Sequence, residues 1–369
     1  MKKYNQSNER VKHQYLEFLR EAKRQSEASL DASAKAIARF EEYTGYRDFK
    51  KFHINQAVGF KKELRMKKSE VTNKIISKAT VNSTLNCLKA FFEWLAREPG
   101  YKSRITYTDA EYFHLSEKDT RVATAKRQKP VPTLEQIRAV LKVMPNTTDV
   151  QKRDRALVAF TILTGARDQA IASFKLKHIE LQRSCVTQDA REVATKFSKT
   201  FNTYFFPVGE DIKSIVCDWI QHLRQDLLWG EEDPLFPATK IIVGENQLFC
   251  ADGLERKHWS NAGPIRGIFK NAFHTAGLPY YNPHSFRNTL ASLAGQCCKT
   301  PEQYKAWSQN LGHEKPLTTL LSYGYVEENR QAEIIAEMGK SIDGDIMQAD
   351  IDKFLSLLAA GKLDIRSRA

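Results

Sequence analysis

The strongest constraint on this chain is a break in its texture. The stretch "SEKDTRVATAKRQKPVP" (116–132) is polar, lacks an apolar repeat and ends in Pro-x-Pro, which favours extended backbone. Before it, apolar residues recur at helical spacing and strand-like alternation is scarce; after it, helical and alternating segments mix. A chain of 369 residues is long enough for two cores, and this is where they are expected to part. The expected division is a helical domain over 1–115, a basic linker over 116–132, a mixed α/β domain over 133–345 and a C-terminal helix or tail over 346–369. The expected class is mainly α with a small antiparallel β-sheet.

In the first part, "ASAKAIARFEEYTG" puts Ile37, Phe40 and Tyr43 on one stripe with Gly45 as a stop. "TVNSTLNCLKAFFEWLAREPG" opens at Thr80 and aligns Leu85, Leu88, Phe92 and Leu95 before closing at Pro99-Gly100. Charge is uneven as well. The chain holds 57 basic and 44 acidic residues; positions 1–130 hold 28 and 16, a net of +12, which leaves +1 for the rest. Such a balance suits a polyanion, of which nucleic acid is the commonest, with a merely basic surface as the plainer alternative. The lysine-rich "KKELRMKKSE" fits a solvated face as well as it fits a DNA contact.

The six cysteines show neither C-x-x-C pairs nor zinc-like spacing with histidine, so reduced thiols are expected rather than a disulfide frame or a metal site. The N-terminus has no apolar signal core, and runs such as "ALVAFTIL" fall far short of the ~20 residues needed to cross a bilayer. A cytoplasmic protein without membrane contact is expected.

In the second part, "TLEQIRAVLKVMP" opens with a capping box from Thr133 to Gln136, and "RDRALVAFTILTG" is a buried helix ending at Gly165. "CVTQDAREVATKFSKTFNTYFFPVG" alternates and implies an antiparallel hairpin or meander turning around Thr200–Asn202. From 211 helices return, then a loop of Gly, Asp and Pro runs through 264, and three more helices follow. The last of all, "ADIDKFLSLLAAGKL" (349–363), carries Ile351, Phe354, Leu355 and Leu358 on one face, to dock on a neighbouring protomer or to pack back on its own domain.

Several residues are candidates for chemistry. In "NPHSFRNTLASLAG", Asn282 and Pro283 start a helix, Phe286, Leu290 and Leu293 form its core face, and His284 and Arg287 share another face at the N-terminus. That is an anion site or a surface pair beside a cap. Arg167, on the turn after Gly165, offers a planar fork to phosphate or pairs with Asp168. Lys196 and Lys199 fall near the hairpin tip. Thr300, Pro301 and Gln303 start a helix that Gly312 ends, fixing His313 just beyond. Tyr323 stands in the last turn of "PLTTLLSY", and Tyr325 follows Gly324.

Taken together, the order Arg…Lys…His-x-x-Arg…Gly-His…Tyr resembles the tyrosine recombinases of the phage-integrase family. The resemblance covers roughly 133–330 as the catalytic domain and, more loosely, the basic helical segment as the core-binding domain. It implies Arg167, Lys199, His284, Arg287, His313 and Tyr323 as the catalytic set. Lys199 is preferred to Lys196 because Pro207 follows it by eight positions, as the family pattern expects. Two departures stand out: Ala170 occupies a usually acidic position, and Ser322 stands at the usual spacing of the nucleophile. Tyr323 is chosen because a one-residue shift is absorbed in the turn, whereas Tyr325 lies past the glycine.

The activity implied is site-specific recombination or integration. Duplex DNA would be cut and rejoined through a 3′-phosphotyrosyl bond, without cofactor, metal or ATP. The resemblance also implies a C-shaped two-domain clamp, four protomers on DNA, and association with the nucleoid when bound. The alternatives are a type IB topoisomerase-like relaxation and a non-cleaving DNA-binding protein on the same scaffold.

Overall fold

The computed structural model describes residues 4–69, 72–125, 130–195, 199–244 and 247–313, together with residues 333 and 356. Two compact units divide the chain, Met1–Arg127 and Gln128–Ala369.

The first unit is helical: α1 (Gln6–Glu17), prolonged by a π turn, α2 (Glu27–Tyr43), α3 (Ile54–Met66), α4 (Lys78–Leu95), α5 (Tyr107–Ala110) and α6 (Glu117–Thr124). Its core is aromatic. The Phe40 ring meets Phe60, Phe92 and Phe113 nearly edge-on, with centroids 5.3, 5.5 and 5.4 Å away. All four are buried, and each ring removed from water contributes about 1.5–3 kcal/mol.

Two expectations are corrected here. Helix α4 starts before Thr80, because the Ser77 side chain accepts the Thr80 amide and acts as the N-cap. The first half of the 116–132 stretch, expected as linker, is helical. Ser116 caps α6, and Asp119 in its first turn accepts hydrogen bonds from Arg65 and Lys78, both at 2.7 Å. Those ion pairs come from α3 and α4, so no local apolar repeat announced the helix.

The second unit is built around α8 (Asp149–Thr164), whose residues from Ala156 to Thr164 are all buried. Around it lie α7 (Leu134–Val143), α9 (Asp168–Ile171), α10 (Glu210–Gln221), α11 (Gly263–Thr275), α12 (Pro283–Cys297) and α13 (Pro301–Asn310). Strands β1 (Ile179–Glu180), β2 (Cys185–Gln188) and β3 (Phe201–Tyr204) form an antiparallel sheet in that order, with Cys185 opposite Tyr204 and Gln188 opposite Phe201. The β2–β3 connection therefore spans 189–200. Phe201 and Asn202 belong to the strand and not to the expected turn around Thr200–Asn202. In its first half Glu192 reaches back to Lys177 and His178, both at 2.9 Å.

A second correction in this unit concerns the segment through 264, expected as loop. It contains the hairpin of β4 (Ala238–Val243) and β5 (Phe249–Glu255), antiparallel with an irregularity between Thr239 and Ile241. Ile241, Val243 and Phe249 are exposed there, so the alternation that marks a half-buried strand is missing from its sequence. Tyr323 and Tyr325 lie outside the described residues, as does the helix expected over 349–363 apart from Ser356, which is helical. Among the described residues no helix is long and apolar enough to cross a membrane.

Gly165 ends α8 in the left-handed conformation, φ +60°, and a Cβ there would stand 2.8 Å from Leu290 Cδ1 and 2.9 Å from Leu311 Cδ2. Gly165→Ala is therefore expected to destabilise the protein by about 1–3 kcal/mol, read as a lower urea midpoint at unchanged slope.

Candidate active site

Helix α8 stops at Gly165, and Arg167 follows as the extended residue before α9, φ −75° and ψ 149°. Its side chain is half-buried. The adjacent carboxylate is engaged elsewhere: Asp168 Oδ2 accepts from Arg266 Nε at 3.0 Å and Nη2 at 2.8 Å. Among the described residues the Arg167 guanidinium meets no carboxylate, and burial lowers its pKa. Ala170, at the position where the family usually has an acid, is buried in the core.

Arg287 sits in α12, whose start is fixed by Asn282 accepting the Ser285 amide at 3.1 Å and by Pro283 in the first turn. Only 5 % of it is exposed. Nη1 donates to the Gly165 carbonyl and Nη2 to the Leu311 carbonyl, the latter at 2.5 Å. These carbonyls lie at the C-terminal ends of α8 and α13, where helix dipoles leave partial negative charge. A buried cation is thus held by two helix ends. Burial, and after it Arg167, pull the Arg287 pKa down to about 9, so the group remains a cation at neutral pH.

The turn after α13 fixes His313. The His313 amide donates to Ser308 O at 3.1 Å and the Gly312 amide to Gln309 O at 2.7 Å, a Schellman closure. Gly312 takes φ +69°, and a Cβ on it would lie 2.6 Å from Phe201 Cζ. His313 Nε2 stands 3.3 Å from Arg287 Nη2. A guanidinium only donates, which makes Nε2 the acceptor and puts the ring proton on Nδ1. Burial, then Arg287, Arg167 and His284, push the His313 pKa down to about 4, so the ring is neutral at physiological pH.

Of the residues singled out from the sequence, Arg167, Arg287 and His313 come together, and the charge of exposed His284 is felt at His313. Lys199 stands two residues before β3, half-buried. Tyr323 is among the residues outside the described set. Sequence reading missed the two carbonyls that grip Arg287, since backbone groups carry no residue signature, although Gly165 and Gly312 marked both helix ends. It also offered Asp168 as a partner for Arg167, whereas Arg266 takes it. All six cysteines are free thiols, and among the described residues no cluster of three or more His, Cys, Asp or Glu is placed to hold a metal.

Chemically, the site is a pair of guanidinium groups, unneutralised among the described residues, beside a neutral imidazole. Such a site takes an oxyanion, and a phosphate or phosphodiester presents the oxygens it needs.

No family model matches the chain. The tyrosine recombinases XerC of Lactobacillus delbrueckii subsp. bulgaricus and Lactobacillus leichmannii are 21% and 22% identical to it over 251 residues, 67% of this chain and 72% of theirs. Among solved structures, a lambda integrase dimer bound to a COC′ core site matches with TM-score 0.59 at 13% identity, over 87% of this chain and 96% of that one. The Tn1549 transposon integrase in complex with a circular intermediate DNA matches with TM-score 0.54 at 14% identity, over 89% and 99%. A lambda integrase tetramer bound to a Holliday junction gives 0.55 at 13%, over 85% and 79%. The fold is that of these integrases, and the sequence relatives point to the same tyrosine recombinase family.

Two outcomes follow from the electrostatics. Because the folded pKa of His313 lies below its ordinary 6.5, the unfolded chain takes up the proton first. His313's contribution to stability is complete above about pH 6.5 and is lost as pH falls toward 4; urea midpoints of His313→Gln should decline less steeply across that window. Arg167→Gln relieves like-charge repulsion and is expected to stabilise the unliganded protein by about 0.5–2 kcal/mol while weakening the stabilisation by sulfate, both measurable by thermal unfolding.

Proposed function

We propose that this chain is a site-specific DNA recombinase of the tyrosine type, cutting and rejoining duplex DNA through a covalent 3′-phosphotyrosyl intermediate. The observation that carries this reading is the meeting of Arg167, Arg287 and His313, with no carboxylate against either guanidinium among the described residues. Support also comes from the net +12 over residues 1–130, from relatives named as tyrosine recombinases, and from integrases of the same fold that are bound to DNA as dimers and tetramers. The substrate is double-stranded DNA, the working assembly is a tetramer on it, and the compartment is the cytoplasm.

A phosphodiester resists attack because its own charge repels nucleophiles and its alkoxide leaves poorly. Arg167 and Arg287 take the non-bridging oxygens and stabilise charge in the pentacoordinate transition state; one such arginine accounts for roughly 10³–10⁵ in rate. The helix ends that hold Arg287 keep it in place before DNA arrives, so little reorganisation accompanies the reaction. Neutral His313 adds a hydrogen bond, and His284 adds another. Tyr323 Oη attacks phosphorus, the bond to the 5′ oxygen breaks, and Lys199 gives that oxygen its proton. His284 helps take the proton from Tyr323. The new phosphotyrosyl ester keeps the energy of the broken linkage. A 5′-hydroxyl of another strand attacks it, the tyrosine leaves, and the duplex is resealed with strands exchanged.

The test is a nicked duplex that traps the covalent complex. Wild type and Tyr325→Phe should form the protein–DNA adduct, while Tyr323→Phe should not. Arg287→Gln should slow adduct formation by roughly 10³-fold or more. Loss with Tyr325→Phe alone would move the nucleophile, absence of adduct from wild type would remove the enzymatic reading, and relaxed circles without exchanged strands would reassign it as a topoisomerase.

A further inference from the structure

Among the described residues strand β3 is the edge of its sheet, so the outward N–H and C=O of its last residues need partners that no described strand supplies. Asn310, the last residue of α13, supplies them. Its Oδ1 accepts the Tyr204 amide at 2.7 Å and its Nδ2 donates to the Tyr204 carbonyl at 2.8 Å. The side-chain amide thus replaces the backbone of a missing strand, and its orientation is fixed by one donor and one acceptor. A second tie runs beside it. Thr203 Oγ1 donates to the Asn310 carbonyl at 3.1 Å while accepting from Gln188 Nε2 at 2.8 Å, and Thr203 is fully buried.

What these ties join matters more than their number. Lys199 stands two residues before β3 and His313 three residues after Asn310. At the other end of the strand, Phe201 lies against Gly312 so closely that no side chain fits there. On the loop side, the Ala190 amide donates to Thr200 Oγ1 at 3.0 Å, so the residue after Lys199 is held as well.

We propose that Asn310 is a positioning residue that locks β3 to the end of α13 and thereby sets the general acid Lys199 in register with the His313–Arg287 pair. This rests on the recombinase reading above. Asn310 itself does not touch DNA; it acts through the strand. The cleavage step is unchanged: the tyrosine oxygen bonds to phosphorus, the 5′ oxygen leaves, and the lysine proton goes to that oxygen. Only the last event depends on where Lys199 stands.

The proposal is tested with two nicked duplexes, one with an ordinary scissile phosphodiester and one with sulfur in place of the bridging 5′ oxygen. A thiolate leaves without a proton, so the sulfur substrate does not need the general acid. For Asn310→Leu, single-turnover cleavage of the oxygen substrate should fall about 10- to 100-fold, the scale of a small misplacement remote from the chemistry. Cleavage of the sulfur substrate should fall less than about 3-fold, with DNA half-saturation unchanged. Lys199→Ala should show the same selective rescue. Thr203→Val, which keeps the volume and removes the second tie together with the bond from Gln188 but leaves the Asn310 side chain on Tyr204, should show it more weakly. Equal losses on both substrates, or no loss in either variant, would overturn the role of Asn310. If Lys199→Ala is rescued and Asn310→Leu is not, the inference falls alone; if wild type cleaves neither duplex, the recombinase reading falls with it.

Discussion

A single buried guanidinium, that of Arg287, decides how the second unit is put together. Burying an unpaired cation is costly, and here the compensation comes from the carbonyls that end α8 and α13 rather than from a carboxylate. Two helices distant in sequence must therefore end at the same point. Each end needs a glycine in the left-handed conformation, because the space beside Gly165 is filled by Leu290 and Leu311, and that beside Gly312 by Phe201. The packing that closes the core and the hydrogen bonds that hold the cation are thus one arrangement.

The choice of carbonyls has a functional consequence. A carboxylate partner would neutralise Arg287 and compete with any incoming anion, whereas helix-end dipoles hold the side chain and leave its charge uncancelled. Among the described residues Arg167 is left uncancelled as well, since Asp168 is drawn to Arg266. Burial first, and the neighbouring charges after it, lower the pKa of Arg287 and of His313, so two guanidinium groups and a neutral ring share a site in which an anion would be stabilised.

The β-sheet belongs to the same logic. It is small, and its edge strand would be unsatisfied without Asn310, so sheet and α13 depend on each other. That contact joins the strand beginning just after Lys199 to the turn bearing His313. Ile179 and Val186 of the sheet join the core, most of which is made of α8 and the helices around it.

Local physics made a good part of this legible from the chain. Capping signals at Thr133, Asn282 and Thr300, and stops at Gly165 and Gly312, marked helix ends because those residues answer needs of the adjacent backbone alone. Apolar repeats gave the helical cores, and the resemblance to a family, not spacing by itself, grouped Arg167, Arg287 and His313. The helix over 117–124, the β4–β5 hairpin and the true extent of the β2–β3 connection were not legible, since each is held by partners far along the chain or shows no alternation. By itself, then, the sequence determined which residue types sit at which helix ends, because capping and burial act within a few residues. Only the tertiary structure decided that Asp168 goes to Arg266, that carbonyls hold Arg287 and that Asn310 completes an edge strand: hydrogen-bond partners and charge balance are set by distances in space, which spacing along a chain does not encode.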